Sequence, residues 1–186
     1  MAGLDGLKVE DLTRAEIQGR KHIAKLVDYI RGHLPGFERC FVVDVAPQTG
    51  VRQTRLLEGE YVVNKDDLAQ RTRFADTVAR GRDYTTPYRA MLPKGVENLL
   101  VAGRCYSATP AAQKMSREIP PCMAMGEAAG VAAAMALEAG VRVRDVDVKK
   151  LQQKLRAQGA DPGDHVGPTA DVPPLARKDH PLELIA

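Results

Sequence analysis

Residues 96–140 constrain the fold more than any other stretch of the chain. Residues 98–102 form a short apolar run that stops at Gly103. Residues 104–118 are polar and rich in Ser and Thr, and residues 121–139 are built almost wholly from small side chains. This order predicts a strand, a loop and a helix whose backbone can be approached closely. Such a unit suits the side of a large cofactor. A lone strand, however, needs neighbours to take up its amides and carbonyls and to cover its apolar faces.

Composition narrows the class. A length of 186 residues allows one domain with its own core. The formal net charge is +3 and aromatic residues make up only 4%. That leaves few stacking platforms and no concentrated basic stripe, so nucleic acid is not an expected partner. Three cysteines, Cys40, Cys105 and Cys122, contain no CxxC pair, and four histidines share no ligand spacing, so neither a disulfide framework nor a metal site is expected. Residues 1–6 show no basic or apolar leader pattern, which makes the cytoplasm the expected location. The long apolar run 122–137 contains Glu127 and is mostly Ala and Gly. It reads as a buried helix rather than a membrane span.

Taken in order, the chain first predicts a helix with Thr13 as cap, Glu16 reaching back, and Leu12 and Ile17 as a staple. Ile17, Ile23, Leu26, Val27, Ile30 and Leu34 then form one stripe that ends at Pro35-Gly36. Residues 40–46 and 51–57 read as strands, with 61–63 resuming after Gly59. Strand alternation would put Arg52 and Arg55 on opposite faces. Either both lie in solvent or one points into a cleft to meet an anionic or carbonyl group. Asn64 caps a polar helix expected to run to Arg80. Residues 92–95 form a turn. After Gly140, Asp147 caps a short helix closed by Gly159, and the Pro- and Gly-rich residues 161–186 form a tail.

Two positions in the central stretch invite a ligand. Gly103 permits a close backbone approach, and Arg104 follows where phosphate or ribityl oxygens would lie, unless it pairs with Glu118 or Glu127. Pro120 and Pro121 suit a helix start, and free amides around Cys122 to Met125 would favour an anion or an electron-rich carbonyl. Gly126, Ala129, Gly130 and Ala133 make a flat face, fit for a planar ligand or simply for tight packing.

The motifs together are more specific than any one of them. Gly50-Val-Arg-Gln-Thr-Arg55, Gly59-Glu-Tyr61, Pro87-Tyr-Arg89, Leu92-Pro-Lys-Gly-Val-Glu-Asn-Leu-Leu-Val-Ala-Gly-Arg-Cys105, Ser107-Ala-Thr109 and Cys122-Met-Ala-Met-Gly-Glu-Ala-Ala-Gly130 follow one another in order. From about residue 11 to residue 160 the chain resembles the C-terminal half of the FAD-dependent oxidoreductase family. That resemblance implies a mixed α/β fold: the last strand and small-residue helix of a Rossmann-like FAD domain (96–140), part of a substrate or cap domain (1–95), and a C-terminal helix (141–160). It implies FAD near Gly103, Arg104, Cys105, Met123, Ala124, Met125 and Gly126, and a small-molecule substrate oriented by Arg52, Arg55 or Arg89. In such an enzyme the flavin accepts a hydride from an organic substrate. No general base is identified.

The chain departs from the family pattern at two places. It contains no Gly-x-Gly-x-x-Gly turn, the motif on which the FAD pyrophosphate rests, and its 81–86 stretch is short. The chain is therefore expected to be the C-terminal portion or a small subunit of such an enzyme, its FAD site shared with a partner chain that carries this turn or formed by self-association, or else a fragment or split-gene product. The alternative is an assembly subunit that keeps the fold without redox chemistry.

Overall fold

The computed structural model describes residues 3–164. Among them are five α-helices, two 3-10 turns and one two-stranded antiparallel sheet, a mixed α/β chain. The core lies almost wholly after residue 59. Val63, Val78, Tyr88, Met91, Tyr106 and Met125 are buried together there with Leu151 and Leu155.

Helix α1 spans Val9–His33 and starts one turn before the expected cap, so Thr13 lies inside it. An Asp turn starts the helix. The Asp5 carboxylate accepts the Leu7 N–H at 2.9 Å, and the Asp11 carboxylate accepts the Asp5 N–H at 3.0 Å. Glu16, freed from capping, accepts the Thr49 amide and the Arg20 guanidinium, and these bonds hold its carboxyl below the usual range. The apolar stripe of α1 finds little to pack on. Ile17 is 51% exposed and Leu26 56%, while Ala15 is the buried residue of the helix.

The strands expected at 40–46, 51–57 and 98–102 do not form. Each run has β-forming side chains, but none has a second backbone beside it over its length, and a ladder needs two. Phe41 and Val43 stand in solvent. Asn98 turns to φ +51°. Val101 makes an isolated bond to the Met91 carbonyl at 2.9 Å. Single bridges, Gly59 to Pro93 and Val63 to Ala108, and scattered backbone bonds pin the middle of the chain. At the first of them the Gly59 N–H donates to Ser107 Oγ at 3.0 Å, and a Cβ on Gly59 would meet Ser107 Cβ at 2.7 Å.

Asn64 caps α2 as expected, with Asp67 closing a reciprocal box, but α2 is only Lys65–Ala69. Arg71 at φ +53° ends it. The rest of the expected helix is strand β1, Thr77–Arg80, which pairs with β2, Thr85–Pro87. The hairpin wins because Thr77 and Val78 favour extended backbone and because Gly81 opens a turn back to Tyr84.

Helix α3, Pro110–Met115, lies in the stretch read as loop and is capped by Thr109. Helix α4, Ile119–Ala139, carries Pro120 and Pro121 in its first turn and ends on Gly140, as expected. Contrary to the expectation from its Ala and Gly content, α4 is long and apolar enough to cross a membrane by length and composition alone. One of its faces, however, holds core residues Met125, Ala128 and Ala132, packed on β1, on helix α5 (Val148–Ala157, capped by Asp147) and on the turn Val143–Asp145. Buried polar groups tie these layers. The Tyr88 hydroxyl donates to the Val143 carbonyl at 2.7 Å, and Gln152 Nε2 donates to the Ala75 and Thr77 carbonyls at 3.0 and 2.9 Å.

The start of the expected tail docks on β1. Thr77 Oγ1 donates to the Pro162 carbonyl at 2.9 Å and Arg80 pairs with Asp161 at 2.8 Å. The rest of that tail lies outside the described residues.

Burial pushes the phenols of Tyr88 and Tyr106 up to about 12, from the ordinary 10.0. Both folded and unfolded chains keep these phenols neutral below about pH 10, and the stability they contribute is then complete. Between those two values the unfolded chain ionises first, so stability falls as pH rises. Thermal unfolding followed across this window should show a falling Tm, with tyrosinate absorbance from these two residues appearing only as the chain unfolds. Gly59→Ala should cost about 1–3 kcal/mol in urea unfolding, because the added methyl forces Ser107 away from its bond.

Candidate functional site

Residues 51–55 lie beside Arg104 and Cys105, distant in sequence, and with Gly6 they line an open groove of about 460 Å³. A bend at Thr54 and the absence of a ladder release residues 51–57 from strict alternation. Arg52 and Arg55 therefore line the same groove, joined by Arg104 and Cys105. This corrects the opposite-face expectation.

One buried side chain holds the two segments together. Gln113, on α3 and fully enclosed, donates from Nε2 to the Arg104 carbonyl at 2.9 Å and to the Arg52 carbonyl at 3.2 Å. Its Oε1 accepts from Gln53 Nε2 at 2.8 Å, and Gln53 also reaches the Pro110 carbonyl at 3.0 Å. The Leu57 N–H donates to the Cys105 carbonyl at 2.9 Å, and Arg104 Nη1 donates to the Val51 carbonyl at the same distance. Arg104 thus takes neither Glu118 nor Glu127 as its hydrogen-bonding partner. Sequence reading missed Gln113, since a lone Gln in a polar stretch carries no signal of burial.

Gly103 sits at φ +85°, in the left-handed region, with nothing within 4 Å of the place a Cβ would take. Its backbone is bare on that side, as a close ligand approach requires. Cys105 is exposed and Cys122 partly buried. Burial pushes the Cys122 thiol up, and the Arg104 charge opposes this.

The α4 residues divide. Met125 is wholly buried and belongs to the core, whereas Met123 is 70% exposed, Gly126 is open and Ala124 is intermediate. The amides expected to be free around Cys122 to Met125 are not. Helix α4 starts at Ile119, Pro120 and Pro121 have no N–H, and the Cys122 N–H is taken by the Glu118 carbonyl at 3.2 Å. The flat face also proves open: nothing lies within 4 Å of a Cβ placed on Gly126 or Gly130.

Arg89 is not brought to the groove. It makes a two-pronged pair with Asp76, at 2.8 and 3.2 Å, and lies over the Tyr61 ring at 5.1 Å. Among the described residues no group of His, Cys, Asp and Glu is placed to hold a metal ion.

The family model for FAD dependent oxidoreductases matches residues 2–83 and 79–155 of this chain. The chain belongs to that family. The two matched segments overlap at residues 79–83, in the β1–β2 hairpin. No curated protein and no solved structure matches the chain.

Replacing Gln113 with Leu should leave the Arg52 and Arg104 carbonyls without their shared donor and cost about 1–3 kcal/mol. Urea unfolding measures the loss. Faster amide exchange confined to 51–57 and 103–105 would separate loosening of the groove from general destabilisation.

Proposed function

We propose that this chain is the C-terminal portion, or a small subunit, of an FAD-dependent oxidoreductase, and that the groove is the flavin-side wall together with part of the substrate pocket. The carrying observation is a coincidence of place. The bare Gly103 backbone, the Arg104 and Cys105 rim and the exposed side of α4 lie in the segments where the family model matches. FAD, when bound, supplies a hydride acceptor. The residues that fit alongside it are Gly103 and Gly126, which allow close approach, with Arg104, Cys105, Met123 and Ala124 at the margin. Met125 supports this wall from the core. Arg52 and Arg55 orient the substrate, and Arg89 acts from a distance, as a brace for Tyr61 and Asp76.

The phosphate end of FAD has no counterpart here, because the sequence lacks a Gly-x-Gly-x-x-Gly turn. In this reading a polypeptide segment carrying that turn, from a partner chain in a hetero-oligomer or from the rest of a longer chain, completes a Rossmann-like sheet beside residues 98–102; self-association would complete the sheet without supplying that turn. The surface supports such a cover. Ile119 is 74% exposed and Leu137 85% on α4, on the same side as Gly126 and Gly130. Bare apolar side chains in such number mark a surface that is covered in the working assembly. A cytoplasmic setting completes the proposal.

A second reading keeps the fold without the redox step: an assembly subunit that needs the open side of α4 but not Gly103. Co-expression with a chain carrying the Gly-x-Gly-x-x-Gly half decides between them. The complex should purify with visible flavin absorption, and Gly103→Asn, a side chain that tolerates the left-handed region, should lower flavin occupancy at least about tenfold while leaving the complex intact. A colourless stable complex would overturn the enzyme reading in favour of assembly.

A further inference from the structure

We infer that the groove holds the carboxylate group or groups of an anionic small molecule, so that the substrate class is a carboxylic acid, most simply a dicarboxylate. The inference rests on reading the groove as part of a substrate pocket, and it adds the chemistry that the pocket selects. The carrying observation is how the arginines are placed. Nine arginines elsewhere in the described residues sit in ion pairs with Asp or Glu (Arg14, Arg20, Arg71, Arg80, Arg82, Arg89, Arg142, Arg144 and Arg156), while Arg31, Arg39 and Arg117 make no ion pair, so what sets the next three apart is that they share a groove. Arg52, Arg55 and Arg104 line one groove, and no Asp or Glu is in its lining.

Arg52, Arg55 and Arg104 are exposed residues of like charge along one groove, and a carboxylate bound there would meet positive potential without a competing acid in the lining. The chain spends a buried glutamine on keeping two of these segments together, through the Arg52 and Arg104 carbonyls. Gln113 is a positioning residue here: it fixes backbone, and the backbone fixes where the cations start. Guanidinium presents a planar fork of donors that matches a carboxylate in two-pronged fashion. Arg104 commits one donor to the Val51 carbonyl, which orients the group and leaves its other donors for a ligand. The groove has room for a small organic acid, at about 460 Å³, and it adjoins the bare Gly103 backbone.

A pyrophosphate offers similar oxygens, so the test must separate the two sources. Isothermal titration of the full chain at low ionic strength, without flavin, compares succinate, its neutral analogue succinamide, and ADP. Succinate should bind, succinamide should not, and added salt should weaken the binding. Arg52→Gln, Arg55→Gln and Arg104→Gln should each weaken succinate by about tenfold, the lysine versions should recover part of the loss, and Arg82→Gln, on the hairpin turn, should change nothing. Far-UV circular dichroism of each variant confirms that it is folded, and Arg55, which makes no bond through its side chain to another described residue, gives the substitution least able to disturb the fold. Failure of succinate to bind, equal binding of succinamide, or indifference to all three glutamine variants would overturn the inference. So would ADP binding more tightly than succinate and depending on the same arginines, which would assign the groove to the cofactor's phosphates. Because the titration contains neither flavin nor a partner, a failed flavin reading would leave succinate binding in place, and a failed carboxylate reading would leave flavin occupancy of the complex in place.

Discussion

An extended backbone becomes a strand only where a second backbone accepts its amides and carbonyls. That constraint divides this chain. Beyond residue 59, local pairs exist: β1 folds back on β2, single bridges join Gly59 to Pro93 and Val63 to Ala108, and a core closes around Tyr88, Met91 and Tyr106. Before it, residues 40–57 have β-forming side chains and no continuous ladder partner, and α1 carries an apolar stripe with little beneath it. The apolar content on the two sides is similar. What differs is whether a complementary edge lies within reach in the same chain.

Where pairing fails, side chains take over the work of placing backbone. Gln113 does so for the groove, bonding two carbonyls with its amide and accepting from Gln53. A buried amide used this way acts as a short piece of ladder: its two N–H groups face carbonyls that no strand partner satisfies. Without it, Arg52 and Arg104 would be related only by the Arg104 to Val51 bond and the neighbouring Leu57 to Cys105 bond. Gln152 serves the hairpin in the same manner, reaching from α5 to the carbonyls of Ala75 and Thr77. Two glutamines from helices thus each hold a pair of backbone carbonyls, one pair at the groove and one at the hairpin.

How much of this can be read from the sequence depends on the range of the forces involved. Short-range signals are legible: the Asn64 capping box, the Pro120-Pro121 start and Gly140 stop of α4, the Asp147 cap of α5, and the openness at Gly103. Each is decided within a few residues. The hairpin at 77–87 is not legible, because the polar run after Asn64 satisfies a helical reading until Arg71 takes φ +53°. Thr13 competes with Asp5 for the start of α1, and Asp5 wins because its turn also engages Asp11. For the groove, the arginines and Gly103 stand out in the sequence, but their meeting does not. It depends on Gln113 and on a bend at Thr54, and a strand reading sends Arg52 and Arg55 apart.

Charge placement carries the remaining step from fold to function. An arginine on an ordinary surface finds a carboxylate cheaply, at little gain or loss to stability. Arg144 shows this, meeting Glu60 and Glu97 at 2.9 and 2.8 Å, and Arg89 does the same with Asp76. A groove with three arginines and no acid in its lining departs from that habit, and the departure coincides with the bare glycine backbone and lies within the segments matched by the family model. Packing does not call for it, since the core closes elsewhere. Solubility does not call for it either, since a net charge of +3 is met by arginines anywhere on the surface. The proposed carboxylate ligand would bring the missing negative charge, beside the segment proposed to meet the flavin.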